Sequence, residues 1–210
     1  MTVDNLHHKI KKRLAFLGKD VVDSINSYEI DSALNTSQIA IIDDLYSQGL
    51  SIEKANKLIS SLVYPMSLSS FVDGQKPTGF LVTLTPSILY ILEEHATTLY
   101  NNKVLTNVPV EAKSFDYYNA NIHNPDKKPY YDLIWRLTYR DLTTDLKRHE
   151  LITDGTYTIT TYHATGIMKP NDISIFTGAT SGLDSTLHEE LIARSIDIIA
   201  RSRMLVKENV

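Results

Sequence analysis

The sequence contains no cysteine among its 210 residues. That absence excludes disulfides, thiolate metal sites, iron–sulfur clusters and a cysteine nucleophile together, and it fits a reducing compartment. No apolar run approaches the length of a membrane-crossing helix, so no transmembrane segment is expected. The opening Met1-Thr2-Val3-Asp4-Asn5 lacks the basic-then-apolar order of a signal peptide, so the expectation is synthesis in a cytosol. Chemistry-bearing motifs are equally scarce. Gly178–Gly182 lacks the Gly-Lys-Ser/Thr ending of a phosphate loop, and no Gly-x-Ser-x-Gly elbow occurs. None of the seven histidines pairs at the i, i+4 spacing of a helical zinc site, so they read as ordinary surface histidines. The sequence therefore suggests no catalytic residue, no metal ligand and no cofactor.

What is present is an ordinary globular composition, 42% apolar and 22% charged, enough for one core or two small lobes. Net charge is −4 and uneven. Lys9, Lys11, Lys12, Arg13 and Lys19 against Asp4 and Asp20 give the first 20 residues +3, leaving −7 on the rest. So acidic a body is a poor general nucleic-acid binder. Lys9, Lys11, Lys12 and Arg13 remain candidates for a basic arm.

Periodicity predicts an amphipathic helix over residues 6–17 and a second from about Tyr28 to Tyr46, stopped by Gly49. A third from Ser51 would form a hairpin with it. Residues 64–78, broken by Pro65, Gly74 and Pro77, read as a loop, and 79–84 as a short strand. Thr85-Pro86 looks like the cap and first turn of a helix carrying Ile88, Leu92, His95 and Leu99 on one face, ended by Asn101-Asn102. This assignment places Glu93-Glu94, like Asp43-Asp44, on a helix. Val104–Val110 is a candidate strand, with Pro109 marking an edge. A short helix capped by Ser114 follows, then a turn-rich loop at 124–129 and a strand over 130–140. Asp154-Gly155 between two β-favouring runs predicts a type I′ hairpin pairing 149–153 with 156–163. Ile173–Phe176 is a candidate last strand, and a final helix starts near Asp184. The fold class is α+β: helices first, a mostly antiparallel sheet with a β-hairpin, and a closing C-terminal helix. The chain reads as a single domain, mainly helical over 1–103 and β-rich over 104–210.

Twelve tyrosines stand against one tryptophan. Tyr117, Tyr118, Tyr130, Tyr131 and Tyr139 crowd the middle of the chain. Two readings are open: a surface buried only on assembly, or a sheet rich in β-formers.

Several segments, in order, resemble a structural-protein family of crAss-like bacteriophages. They are Tyr28-Glu29-Ile30 with Leu34–Gln38 and Leu58–Val63; Leu89–Ala96; Val108-Pro109-Val110 with Tyr117–Pro125, Lys127-Lys128-Pro129 and Trp135-Arg136-Leu137; and Glu150-Leu151-Ile152, Tyr157–Tyr162, Lys169-Pro170, Leu187–Ile192 and Arg194. The most specific stretch is Asn121-x-x-Asn124-Pro125-x-x-Lys128-Pro129. Residues 1–20 and 64–78 fall outside the pattern. The resemblance implies a virion protein without catalysis, made in the bacterial host cytoplasm. It would be a ring or adaptor subunit in the neck or tail of a short-tailed phage, forming a twelvefold homo-oligomer against the portal and adjacent rings. Genomic DNA would pass through it during ejection without sequence-specific contact, and no membrane would be involved. Such a ring needs two different faces on each subunit. The expected interface residues are Tyr117, Tyr118, Asn119, Asn121 and Asn124 as a receiving face. Lys127 and Lys128 in the 124–129 loop, and Asp154 and Gly155 in the predicted hairpin, are the expected arms. The competing reading is a small nucleic-acid-binding or regulatory protein that uses the basic N-terminal segment.

Overall fold

Apolar residues of the N-terminal helices and of the last helix bury one another, while the middle of the chain forms a sheet of its own. The computed structural model describes residues 1–17, 25–49, 59–85, 87–130, 132–140 and 147–208. These fall into two compact units: unit 1 is Met1–Val63 with Pro170–Val210, and unit 2 is Tyr64–Lys169. The fold is α+β, and the described residues form four α-helices and an eight-stranded, mostly antiparallel, curled sheet.

Unit 1 is built from α1 (Val3–Leu14), α2 (Ser27–Ser47) and α4 (His188–Glu208). Helix α1 starts at Thr2, whose side chain accepts from Asn5 N–H, and its Leu6, Ile10 and Leu14 are fully buried. Helix α2 opens with a reciprocal cap. Asn26 Oδ1 accepts from Glu29 N–H at 2.8 Å, and Glu29 Oε2 accepts from Asn26 N–H at 3.1 Å. It ends before Gly49, whose φ of +74° is the left-handed conformation that suits glycine there. Helix α4 follows a 3-10 turn capped by Asp184, and both α1 and α2 pack on it. The predicted helix over residues 51–62, and its hairpin with α2, fall outside the described residues, except that Ser60–Leu62 is a 3-10 turn.

Unit 2 contains β1 (Val63–Leu68, which begins at the last residue of the first segment of unit 1), β2 (Val72–Asp73), β3 (Gly79–Thr83), β4 (Ile88–Tyr100), β5 (Lys103–Ala112), α3 (Phe115–Asn121), β6 (Ile134–Arg140), β7 (Lys147–Ile152) and β8 (Thr158–Met168). The strand order is β1-β8-β4-β5-β6-β7-β3-β2. Strands β5 and β6 run parallel, joined through α3, whereas β2/β3, β3/β7, β4/β5, β4/β8 and β6/β7 are antiparallel. The two terminal strands of this order, β1 and β2, are separated in sequence only by residues 69–71. An extended chain of that length spans no more than about 14 Å, so the sheet must curl until its ends approach.

Three sequence expectations are corrected. Residues 88–100 are a central strand, not a helix, so residues 1–103 are not mainly helical. Strand β4 makes three register shifts against β8 and one against β5. Those bulges break strict alternation and leave a spurious helical spacing of Ile88, Leu92, His95 and Leu99. Residues 64–78 hold the edge strands β1 and β2, and Pro65 is tolerated because β1 is an edge. Conversely, Pro109 lies on an interior strand. It precedes Val110, where pairing with β6 begins, so its missing N–H leaves that ladder intact.

The third correction concerns Asp154-Gly155. Strand β7 pairs with β3 and β6, and β8 pairs with β4, so β7 and β8 do not form a hairpin. Gly155 has φ +84°, but Asp154 is not among the positive-φ residues that a type I′ turn would need. Asp154 Oδ1 instead accepts from Thr156 N–H (2.8 Å) and Thr156 Oγ1 (2.7 Å). The two-residue hairpin is at Asn101-Asn102, with φ +47° and +59° and Tyr100 opposite Lys103.

Candidate functional site

Four side chains of unit 2, Arg136, His149, Tyr162 and Glu94, form a hydrogen-bonded circuit. Arg136 on β6 lies 2.9–3.0 Å from the Glu94 carboxylate on β4, both side chains nearly buried at 12% and 11% exposure. Arg136 Nη1 donates to Thr138 Oγ1 (2.7 Å) and faces His149 Nε2 on β7 (3.1 Å). A guanidinium only donates, so His149 Nε2 must accept and the imidazole proton sits on Nδ1. That nitrogen is 2.9 Å from the Tyr162 hydroxyl on β8, which donates to Glu94 Oε2 at 2.7 Å. The circuit closes through four strands. Burial lowers the His149 pKa from 6.5 to about 2, and the charges of Arg136 and Lys147 add to the effect. Burial raises Glu94, outweighing Arg136, and burial followed by the Glu94 charge raises Tyr162. The circuit thus pins strands from distant positions in the sheet.

A surface cleft of about 580 Å³ lies on the same unit, between the β2–β3 turn, α3, the 122–129 segment and the β7–β8 turn. Its lip is held from below. The Glu150 carboxylate is fully buried, accepts from Lys76 N–H at 2.6 Å, and takes the Tyr139 hydroxyl on its other oxygen. A Cβ on Gly74 or Gly79 would lie 2.2 or 2.5 Å from Glu150 Oε1, so only glycine lets the turn close over it. Thr78 on this lip has φ +60°, an uncommon conformation for a β-branched residue. Reciprocal bonds with Thr153 hold it there: Thr78 Oγ1 to Thr153 O (2.7 Å), Thr153 Oγ1 to Thr78 O (3.3 Å) and Thr153 N–H to Thr78 O (3.2 Å).

Four of the expected interface residues, Tyr118, Asn119, Lys128 and Asp154, line this cleft. Tyr118 does so from a buried position, 5% exposed, with Lys76 Nζ 5.1 Å from its ring centre. Tyr117 packs edge-on against Trp135 at 5.4 Å and lies beneath Lys113 Nζ at 4.7 Å. The Tyr117-Tyr118 pair therefore serves mainly to seat α3 on the sheet, not as an open receiving face. Asn121 is buried and bonds Tyr117 O. Asn124 organises the next turn, accepting from Asp126, Lys127 and Lys128 N–H groups. Lys127 and Gly155 are exposed and outside the cleft lining. Lys76, Thr78, Glu150 and Thr153 complete the site, and the sequence reading assigns none of them to an interface.

The basic candidates on α1 are partly consumed. Lys9 Nζ and the Arg13 guanidinium each lie 2.5 Å from the Glu189 carboxylate of α4, leaving Lys12 exposed and Lys11 half-buried. Helix α1 is a packed member of unit 1 rather than a free arm. The expectation of surface histidines fails for His7, His149 and His188, which are buried. His163 stacks on His95 at 4.8 Å. Among the described residues no group of three or more ligand-type side chains could hold a metal ion, and no helix is long and apolar enough to cross a membrane. Comparison with known protein families and with curated proteins finds no match.

Proposed function

We propose that this chain is a non-catalytic virion structural protein. It is a ring or adaptor subunit of the portal-proximal neck or tail of a short-tailed crAss-like phage, and part of its DNA conduit. The observation that carries this reading is the pair of unlike surface features on separate compact units. Unit 2 presents the cleft with its basic 124–129 rim. Unit 1 presents exposed aromatic side chains, Tyr28 at 74% and Phe176 at 80% exposure. A closed ring requires two different, complementary faces per subunit. The charged chemistry in the interior of unit 2 is spent on holding strands together, which suits a scaffold. The acidic balance of the chain beyond residue 20 suits a conduit that must not grip passing phosphates.

The basic face that the nucleic-acid reading needs is partly engaged, because the Glu189 carboxylate lies against both Lys9 and Arg13 and offsets one of their two charges. The test is quantitative mass spectrometry of purified virions, with this chain counted against the portal protein. A whole-number ratio supports a ring. Absence from the particle sinks the proposal.

A further inference from the structure

Helix α2 presents a polar ladder, Asp31, Asn35 and Gln38, to the segment that follows residue 170. Asn35 acts as a surrogate strand: its Oδ1 accepts from Ile173 N–H at 2.6 Å and its Nδ2 donates to Ile173 O at 3.1 Å. Asp31 Oδ2 accepts from Ile175 N–H (3.2 Å) while Oδ1 lies 2.7 Å from His7 Nε2. Gln38 donates to Asn171 O and accepts from Ser181 Oγ and Gly182 N–H. Ser174 bridges to Ala179, and Gly178 at φ +70° completes the turn. This anchored turn carries Phe176 at its tip. Phe176, Tyr28, Asp172 and Ser174 line a pocket of about 470 Å³ on unit 1.

An exposed aromatic side chain on a turn whose backbone is already fixed is ready to bind at little further ordering cost. Two aromatic rings with an exposed carboxylate beside them select a cation and disfavour phosphate. The chain itself offers a matching element. The 124–129 turn is held by Asn124 and by the Tyr130 hydroxyl on Pro125 O, and it exposes Lys127 beside Pro125 and Tyr130. Cation and aromatic surface on the turn face carboxylate and aromatic surface in the pocket.

We infer that the Tyr28–Phe176 pocket of one copy receives the Lys127-Lys128 turn of a neighbouring copy, making the repeating head-to-tail contact of the ring. This rests on the ring reading above. The experiment is charge exchange in the full-length chain, read by native mass spectrometry and sedimentation, with circular dichroism to confirm folding. Lys127→Glu with Lys128→Glu, and separately Asp172→Lys, should each weaken self-association by about tenfold or more. The combined variant should recover most of it. Phe176→Ser should weaken it without a compensating charge. If the wild type assembles and these variants assemble equally well, or if the combination is no better than the single changes, the pocket–turn contact is overturned while the ring reading stands. If the wild type does not self-associate, the pocket–turn contact is overturned, and absence from virions would take the ring reading with it.

Discussion

His149 sits in an environment far from what its type suggests. Nothing in the stretch His149-Glu150-Leu151 marks it as interior, yet four strands bring Arg136, Tyr162 and Glu94 around it, and it is 1% exposed. Its folded pKa, about 2, lies below the ordinary value of 6.5. A group so depressed contributes stability that is present above pH 6.5 and is lost as pH falls towards the folded value. Each unit of pH through that window removes about 1.4 kcal/mol, so acidification from pH 7.5 to 5.0 should cost about 2 kcal/mol through His149 alone. Glu94 acts with the opposite sign. Its pKa is raised, so the folded state binds its proton first and gains stability as pH falls through that value. The comparison must therefore be between wild type and His149→Gln, which keeps Glu94 in place. Urea unfolding at the two pH values should show the smaller acid loss in the variant, by about 2 kcal/mol. Parallel losses in both proteins would mean that His149 is not held neutral.

At the level of elements, what sequence revealed depended on whether a segment's pattern was local. The capped α3, the N-terminal helix, the β6 alternation and the final helix were legible because caps and periodicity are encoded within a dozen residues. Strand β4 was not, because its bulges are set by partners on both sides. The misplaced hairpin is the sharper case. Asp154-Gly155 and Asn101-Asn102 both suit tight turns, but only the second has both residues at positive φ between paired strands. Strand β7 is claimed on both edges by β3 and β6, which no local signal discloses. The lip of the cleft was hidden for the same reason: Glu150 and Lys76 are 74 residues apart. The Asn101-Asn102 turn gives a direct test. Asn102→Gly should stabilise the protein by up to about 1 kcal/mol, since glycine carries no Cβ penalty at positive φ. Asn102→Val should destabilise it by about 1–2 kcal/mol. In a chain this long each kcal/mol is a melting shift of about 2–4 °C, which calorimetry resolves. The same pair of changes at Thr156 should show no such ordering.

For the whole molecule, the decisive feature is that one unit is discontinuous in sequence and the other is not. Unit 1 is assembled from both ends of the chain: Lys9 and Arg13 meet Glu189, Glu29 meets Arg203, and Asn35 grips Ile173. No reading of the N-terminal half alone could find the partner of its polar faces. Unit 2 is a continuous insertion, Tyr64–Lys169, with its own buried cluster around Leu84, Ile134, Leu151 and Tyr162 and its own closed polar circuit. A segment with its own core that enters and leaves once has what independent folding requires. Residues 63–170 expressed alone should therefore unfold cooperatively and give a dispersed amide spectrum. Arg136→Met in that fragment should cost about 3–5 kcal/mol, because it strands the Glu94 carboxylate in the interior. Retention of that loss in the fragment would show that the circuit belongs wholly to the insertion. A fragment that remains unfolded would instead mean that unit 1 supplies stability which the sheet cannot generate, and the insertion would have to be regarded as part of one cooperative body.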